Sequence, residues 1–178
     1  MKSNTSNILN LCLMSLFTAV TAIMAQISIP MPFGVPLTMQ TFAITLSGIL
    51  LGSKKATTTT IIYMLLGAVG LPVFANMTGG WQSFVSPASG FLLSFPLMAY
   101  IIGYFFETQK KSLHILGLFL GNIANFICGL FMFCVLTGSS IPVGITTCVL
   151  PFLPATIIKA VLAYWIGLHL KHRLHVFL

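Results

Sequence analysis

The sequence specifies an all-α, polytopic membrane protein with six transmembrane helices and both termini in the cytoplasm. Three observations carry this expectation. Apolar residues make up 57% of the 178 residues and charged residues only 5%, whereas a soluble domain carries about 25% charged residues. Apolar runs recur along the whole chain, and a helix crossing a bilayer needs about 20 such residues. The basic residues fall in alternate gaps between those runs, the pattern that sets orientation in a membrane.

The first span is 8–27, and it ends at a proline-rich turn over 29–36. Within it Ser15 pairs with Ala19, Thr18 with Ala22 and Thr21 with Ala25 at a spacing of four. Such small-residue pairs suit close helix contact and are also ordinary membrane-helix composition. The second span, 37–51, is short and is broken by Gly52, Ser53, Lys54 and Lys55. The third, 56–71, opens on Ala56 and four threonines, Thr57 to Thr60. Residues 72–87 are uncharged but rich in Gly, Pro, Ser and Asn. They read as external backbone folded over or into the bundle, because irregular backbone at membrane depth needs protein or a cavity to satisfy it. The fourth span is 88–106, followed by the most charged stretch, Glu107 to Lys111. The fifth is 112–136, and 137–150 reads as a polar or re-entrant segment. The sixth is 151–170, closed by Lys171, His172 and Arg173. The six spans are expected to form a single membrane domain over 1–178.

Charge supports the helix count. Lys2, Lys54, Lys55, Lys110, Lys111, Lys171 and Arg173 all fall on one side of the alternation, while 28–36, 72–87 and 137–150 carry no charge. A wrong count would scramble this order. The net charge of +7 is therefore a topology signal. A nucleic-acid footprint would gather basic residues on one face, so no nucleic-acid partner is expected. A signal peptide cleaved near Ala22 or Ala25 would leave the alternation intact. The first run is long for one, however, and continues without a polar break to Gln26, so an uncleaved span is expected. The four cysteines form no CxxC pair and imply neither a zinc site nor a disulfide framework. His114, His169, His172 and His175 flank helix ends and read as interfacial.

The strongest chemical signal is Lys159, eight residues beyond Pro151 and about two turns into the last span. A charge within a span is costly and usually faces an interior or aqueous cavity. The chain holds one acid, Glu107, at the opposite side. An unpaired ammonium there calls for an anion such as a carboxylate-bearing ligand, unless it snorkels to the interface. Thr156 shares its helix face. Gln40 and Thr38 enter the second span near the same level, Asn76, Trp81 and Gln82 come from the external segment, and Asn122 and Asn125 lie on one face of the fifth span. Together they outline a pocket for a small molecule that is part apolar, part polar and anionic. No phosphate-binding glycine loop, no membrane-embedded acid for ion coupling and no catalytic nucleophile set is present in the sequence. The reading is a non-enzymatic binding or permeation subunit energised from elsewhere.

Several longer motifs carry a family resemblance. They are Pro30 to Phe42 (PMPFGVPLTMQTF), Leu50 to Lys55 (LLGSKK), Tyr63 to Ala75 (YMLLGAVGLPVFA), Gly79 with Gly80, Pro87 to Pro96 (PASGFLLSFP) and Leu150 to Ala160 (LPFLPATIIKA). In this order, over about 10–172, the chain resembles the BioY family, the substrate-binding subunits of energy-coupling-factor biotin transporters. The resemblance implies biotin as ligand, no cofactor, and uptake across a bacterial cell (inner) membrane. It also implies two kinds of partner: a transmembrane coupling protein and two ABC-type ATPase subunits. The coupling protein would dock on the small-residue face of the first helix, at Ser15, Ala19 and Ala22 with Thr18. The family's last motif is expected to read Pro-Gly-Asp before the lysine. This chain has Pro154, Ala155 and Thr156, so Thr156 stands in the aspartate position. Lys159 would meet the biotin carboxylate, Gln40, Asn76 and Thr156 the ureido group, and Trp81 and Phe91 the apolar parts. Two other readings remain open at this point: a structural subunit that binds nothing, and a substrate subunit for another small anionic vitamin.

Overall fold

The structure is a computed structural model and describes residues 2–31, 34–108 and 110–174. The charges expected at Lys2 and Arg173, and His172 and His175, lie on side chains outside the described residues.

The first helix, α1, spans Lys2–Gln26. It starts earlier than the apolar run and ends where expected. Ile8, Leu11, Leu16 and Ile23 are exposed, as lipid-facing residues are, while Phe17, Thr18, Thr21 and Ala25 are buried. The two threonine hydroxyls donate to carbonyls one turn back, Met14 at 2.9 Å and Phe17 at 2.7 Å, so neither is left unsatisfied away from water. A short antiparallel ribbon follows, β1 (Ser28–Ile29) and β2 (Leu37–Thr38), with Ser28 opposite Thr38 and Ile29 opposite Leu37.

Helix α2 covers Gln40–Ala68 but is broken at Gly52, whose φ of 77° and ψ of 177° are non-helical. We call the limbs α2a (40–51) and α2b (53–68). They run antiparallel, since Gln40 at the start of one bonds Tyr63 near the end of the other. Glycine is needed at the turn because other residues rarely adopt that φ. The turn is also capped. The Glu107 carboxylate accepts from the Ser53 N–H at 2.7 Å and from the Ser53 hydroxyl at 2.8 Å, which places the chain's one acid at the N-terminus of α2b, where a helix favours negative charge. Limb α2a is about 18 Å long, too short to cross a hydrocarbon core of about 30 Å. It is the central element, with Phe42 to Ile49 all buried.

The expected fourth span is two helices, α3 (Ser89–Leu93) and α4 (Phe95–Phe106). Pro96 explains the break, because it lacks the N–H that would continue the ladder. Asn125 of α5 (Lys111–Thr137) repairs it, donating to the Phe91 carbonyl at 3.0 Å and the Ser94 hydroxyl at 2.8 Å. Helix α5 meets α3 and α4 along a stripe of small buried residues, Gly117, Gly121, Asn125 and Gly129, the spacing that lets membrane helices approach closely. The segment expected to be polar or re-entrant holds a short helix, α6 (Ile141–Cys148), with Pro142 in its first turn, where a missing N–H costs nothing. Helix α7 (Leu153–Leu174) closes the bundle.

Hydrogen bonds between elements identify one end of the bundle: Lys55 Nζ donates to Asn10 Oδ1 at 2.6 Å, Ser53 meets Glu107, and Lys171 Nζ donates to the Phe106 carbonyl at 2.9 Å. The ribbon and the 72–87 segment lie at the other. Three helical stretches among the described residues, Asn7–Gln26, Lys111–Thr137 and Ile141–Lys171, are long and apolar enough to cross a membrane. The fold is all-α with membrane-spanning helices.

Candidate functional site

A cavity of about 340 Å³ opens at the ribbon end, within the range of small-molecule sites. Its wall comes from the ribbon and α2a (Val35, Thr38, Gln40, Thr41), the external segment (Phe74 to Asn76, Thr78, Gln82, Ser83), α3 to α5 (Phe91, Phe95, Asn122, Asn125, Phe126), Phe152 just ahead of the last helix, and that helix itself (Thr156, Lys159). Phe91 stacks on Phe152 with ring centres 6.4 Å apart and meets Phe126 edge-on at the same distance. One part of the wall is thus an aromatic surface, and over the rest hydroxyl and amide side chains lie among apolar ones.

Lys159 is the cation of this cavity. It is 8% exposed and its ammonium donates to the Thr38 carbonyl at 2.9 Å and to Thr41 Oγ1 at 2.7 Å. An ammonium has three donors, so these contacts leave one. Both partners are neutral, and Glu107 is committed to Ser53 at the far end. The field of the buried charge is therefore uncompensated by any described carboxylate, which favours an anion in the cavity.

From Lys159 a chain of hydrogen bonds runs outward. Thr38 Oγ1 donates to Gln40 Oε1 at 2.8 Å, Gln40 Nε2 donates to the Tyr63 hydroxyl at 2.6 Å, and that hydroxyl donates to the Val73 carbonyl at 2.9 Å. The chain ties α7, the ribbon, both limbs of α2 and the external segment together. Tyr63 is fully buried and serves as donor and acceptor at once. Tyr63→Phe is expected to leave the Gln40 amide and the Val73 carbonyl each short of a partner, lowering stability by about 1–3 kcal/mol. A thermal unfolding midpoint in detergent unchanged from that of the wild type would refute this.

Of the six side chains expected at the site, five line the cavity: Lys159, Thr156, Gln40, Asn76 and Phe91. Trp81 does not. It is 71% exposed because the single turn Trp81–Val85 directs Gln82 and Ser83 to the cavity and packs Phe84 on Phe74, ring centres 5.7 Å apart. The indole is left on the outer surface beside Phe84, a position suited to a membrane interface. On α1, Ser15 and Ala19 are exposed and Ala22 is half-buried, but Thr18 turns inward, within 3.4 Å of the Thr59 carbonyl. Thr41 and Tyr63 escaped the sequence reading. Thr41 sits beside Gln40 with nothing in composition to mark it, and Tyr63 is one apolar-run aromatic among many.

A sequence profile of the BioY family matches residues 1–176. The chain belongs to the BioY family. The relatives it resembles include the biotin transporter BioY of Thermotoga maritima, 46% identical over 96 residues that cover 54% of this chain and 56% of that protein. The chain thus spans little more than half of that relative's length. The biotin transporter BioY2 of Lactococcus lactis subsp. cremoris is 30% identical over 167 residues, covering 90% of this chain and 89% of that one. Among solved structures, the crystal structure of the S-component for biotin from an ECF-type ABC transporter superposes with a TM-score of 0.88 at 26% identity, covering 95% of this chain and 94% of that one. The helical arrangement over most of this chain is thus shared with that S-component.

Proposed function

We propose that this BioY chain is the biotin-binding substrate subunit of an energy-coupling-factor uptake transporter. The observation that carries the reading is Lys159, a buried ammonium on the wall of a small, partly aromatic cavity with neutral partners only. Biotin has the matching parts: a carboxylate for Lys159, a ureido group for Asn76, Thr156 and the unused Gln40 N–H, and an apolar bicycle for Phe91. Charge-assisted bonds to the carboxylate would be the strongest of these. Thr156 presents a hydroxyl where the family motif has a carboxylate, so it binds as a neutral partner. The names of the relatives, biotin transporters and a biotin S-component, agree with this ligand.

In this reading the cavity opens outward and the end carrying Lys54, Lys55, Lys110, Lys111 and Lys171 is cytoplasmic, following the positive-inside rule, in a bacterial inner membrane. A transmembrane coupling protein docks on Ser15, Ala19 and Ala22 of α1 and links the chain to two ABC-type ATPases. Titration calorimetry of the detergent-purified chain with biotin tests the ligand. Saturable one-to-one binding is expected. Binding of another carboxylate vitamin such as pantothenate, with none of biotin, would overturn the assignment.

The docking face has its own test. Ala19 is exposed on α1, and close membrane-helix contact depends on small residues. Ala19→Leu is expected to abolish co-purification with the coupling protein while biotin binding stays at the wild-type level. Undiminished co-purification would place the interface elsewhere.

A further inference from the structure

The external segment is fastened to the first helix by one side chain. At the end of α1, Gln26 Nε2 donates to the Phe74 carbonyl at 3.0 Å, and Gln26 Oε1 accepts from the Met77 N–H at 2.9 Å. The same Nε2 donates to the Ala22 carbonyl at 3.1 Å, which fixes the amide to its own helix. The turn it grips is strained. Asn76 and Met77 both have φ of 56°, a left-handed pair that residues with a Cβ rarely adopt and that persists only when its surroundings impose it. The turn's own backbone bonds, Phe74 N–H to the Thr78 carbonyl at 2.9 Å and Thr78 N–H to the Ala75 carbonyl at 3.3 Å, leave the Phe74 carbonyl and Met77 N–H to be satisfied from outside. Gln26 supplies both partners with one carboxamide.

The next polar residue extends the arrangement to the cavity. Ser28 Oγ donates to Asn76 Oδ1 at 2.6 Å. With its oxygen already accepting from Ser28, the Asn76 amide is oriented to offer its two N–H donors to the cavity that it lines. This suits a ligand acceptor oxygen.

We propose that Gln26 and Ser28 are positioning residues for the ligand site. Gln26 latches the 74–78 turn across the cavity mouth, and Ser28 sets Asn76 as a donor to a ligand acceptor oxygen. Ligand passes when the turn leaves α1, so the latch governs release. The inference rests on the biotin reading for its ligand, but the latch itself is testable without one.

The experiment compares full-length wild type, Gln26→Ala and Gln26→Glu in detergent. Amide hydrogen exchange across 72–80 is followed without ligand, and dissociation of radiolabelled biotin is followed by chase with unlabelled biotin. In Gln26→Ala, exchange in 72–80 and the biotin dissociation rate are each expected to rise about tenfold. Exchange in α2a and α5 and the unfolding temperature should hold, which separates latching from a general structural role. Gln26→Glu keeps the acceptor for Met77 and loses the donor to Phe74, so it should fall between. Unchanged exchange across 72–80 in Gln26→Ala overturns the latch. Raised exchange with an unchanged dissociation rate overturns its control of release. If the wild type binds no biotin, the biotin reading fails, and exchange alone decides whether Gln26 holds the turn.

Discussion

Lys159→Ala is expected to weaken biotin binding about 10- to 100-fold while the protein still inserts and folds. The loss corresponds to one charge-assisted hydrogen bond, about 1.5–3 kcal/mol. Folding is expected to tolerate the change because the ammonium gains little where it stands. Its desolvation is costly, and its two observed partners, the Thr38 carbonyl and Thr41 hydroxyl, are neutral. Biotin amide separates the charge from other effects. If Lys159 meets the carboxylate, the wild type should prefer biotin to its amide, and Lys159→Ala should bind the two nearly equally. A variant that keeps the wild-type preference for biotin would show that the lysine serves another part of the ligand. Calorimetry with both compounds on both proteins completes the cycle.

Gly103→Leu is expected to destroy the fold. A Cβ at Gly103 would lie 2.4 Å from the Ser53 nitrogen, 2.5 Å from its Cα and 2.6 Å from the Gly52 carbonyl carbon. All three are backbone atoms in the tight turn between α2a and α2b, so no side chain can swing aside. Helix α4 would have to withdraw from the turn, and Glu107, one turn later, would lose both bonds to Ser53. A clash with backbone together with loss of a buried cap belongs to the most damaging class of substitution, above about 4 kcal/mol. Size-exclusion chromatography should give aggregate or no recoverable protein. A monodisperse Gly103→Leu with the unfolding midpoint of the wild type would show that α4 does not bear on this turn.

Much of the architecture was legible because it follows from local composition. The break at Gly52 is marked by glycine, serine and two lysines in succession, and the structure adds that Glu107 caps it and that the limb before it is too short to cross the hydrocarbon core. Lys159 stood out because a lone charge in an apolar helix has few explanations. The boundary at Ser94 was less visible. Pro96 announces a break, but surrounding apolar residues mask it, and the repair by Asn125 comes from a residue far along the chain. Asn125 thus lines the cavity, as its residue type suggests, while its N–H groups also serve the Phe91 carbonyl and the Ser94 hydroxyl. The directions in which Trp81 and Thr18 turn are hidden from the sequence for a related reason. Which way each side chain turns is decided by the single turn Trp81–Val85 and by the α1 to α2b contact, and neither is encoded in the residue type. The partners of Lys159 lie more than 100 positions away, beyond any spacing rule.

The most direct test is a structure of the chain determined with biotin. The account predicts biotin inside the cavity, its bicycle against Phe91, an acceptor oxygen within hydrogen-bond reach of Lys159, and the 74–78 turn closed on Gln26. Biotin bound outside this cavity, or a cavity left empty at saturating biotin with Lys159 still on Thr38 and Thr41 alone, would contradict it.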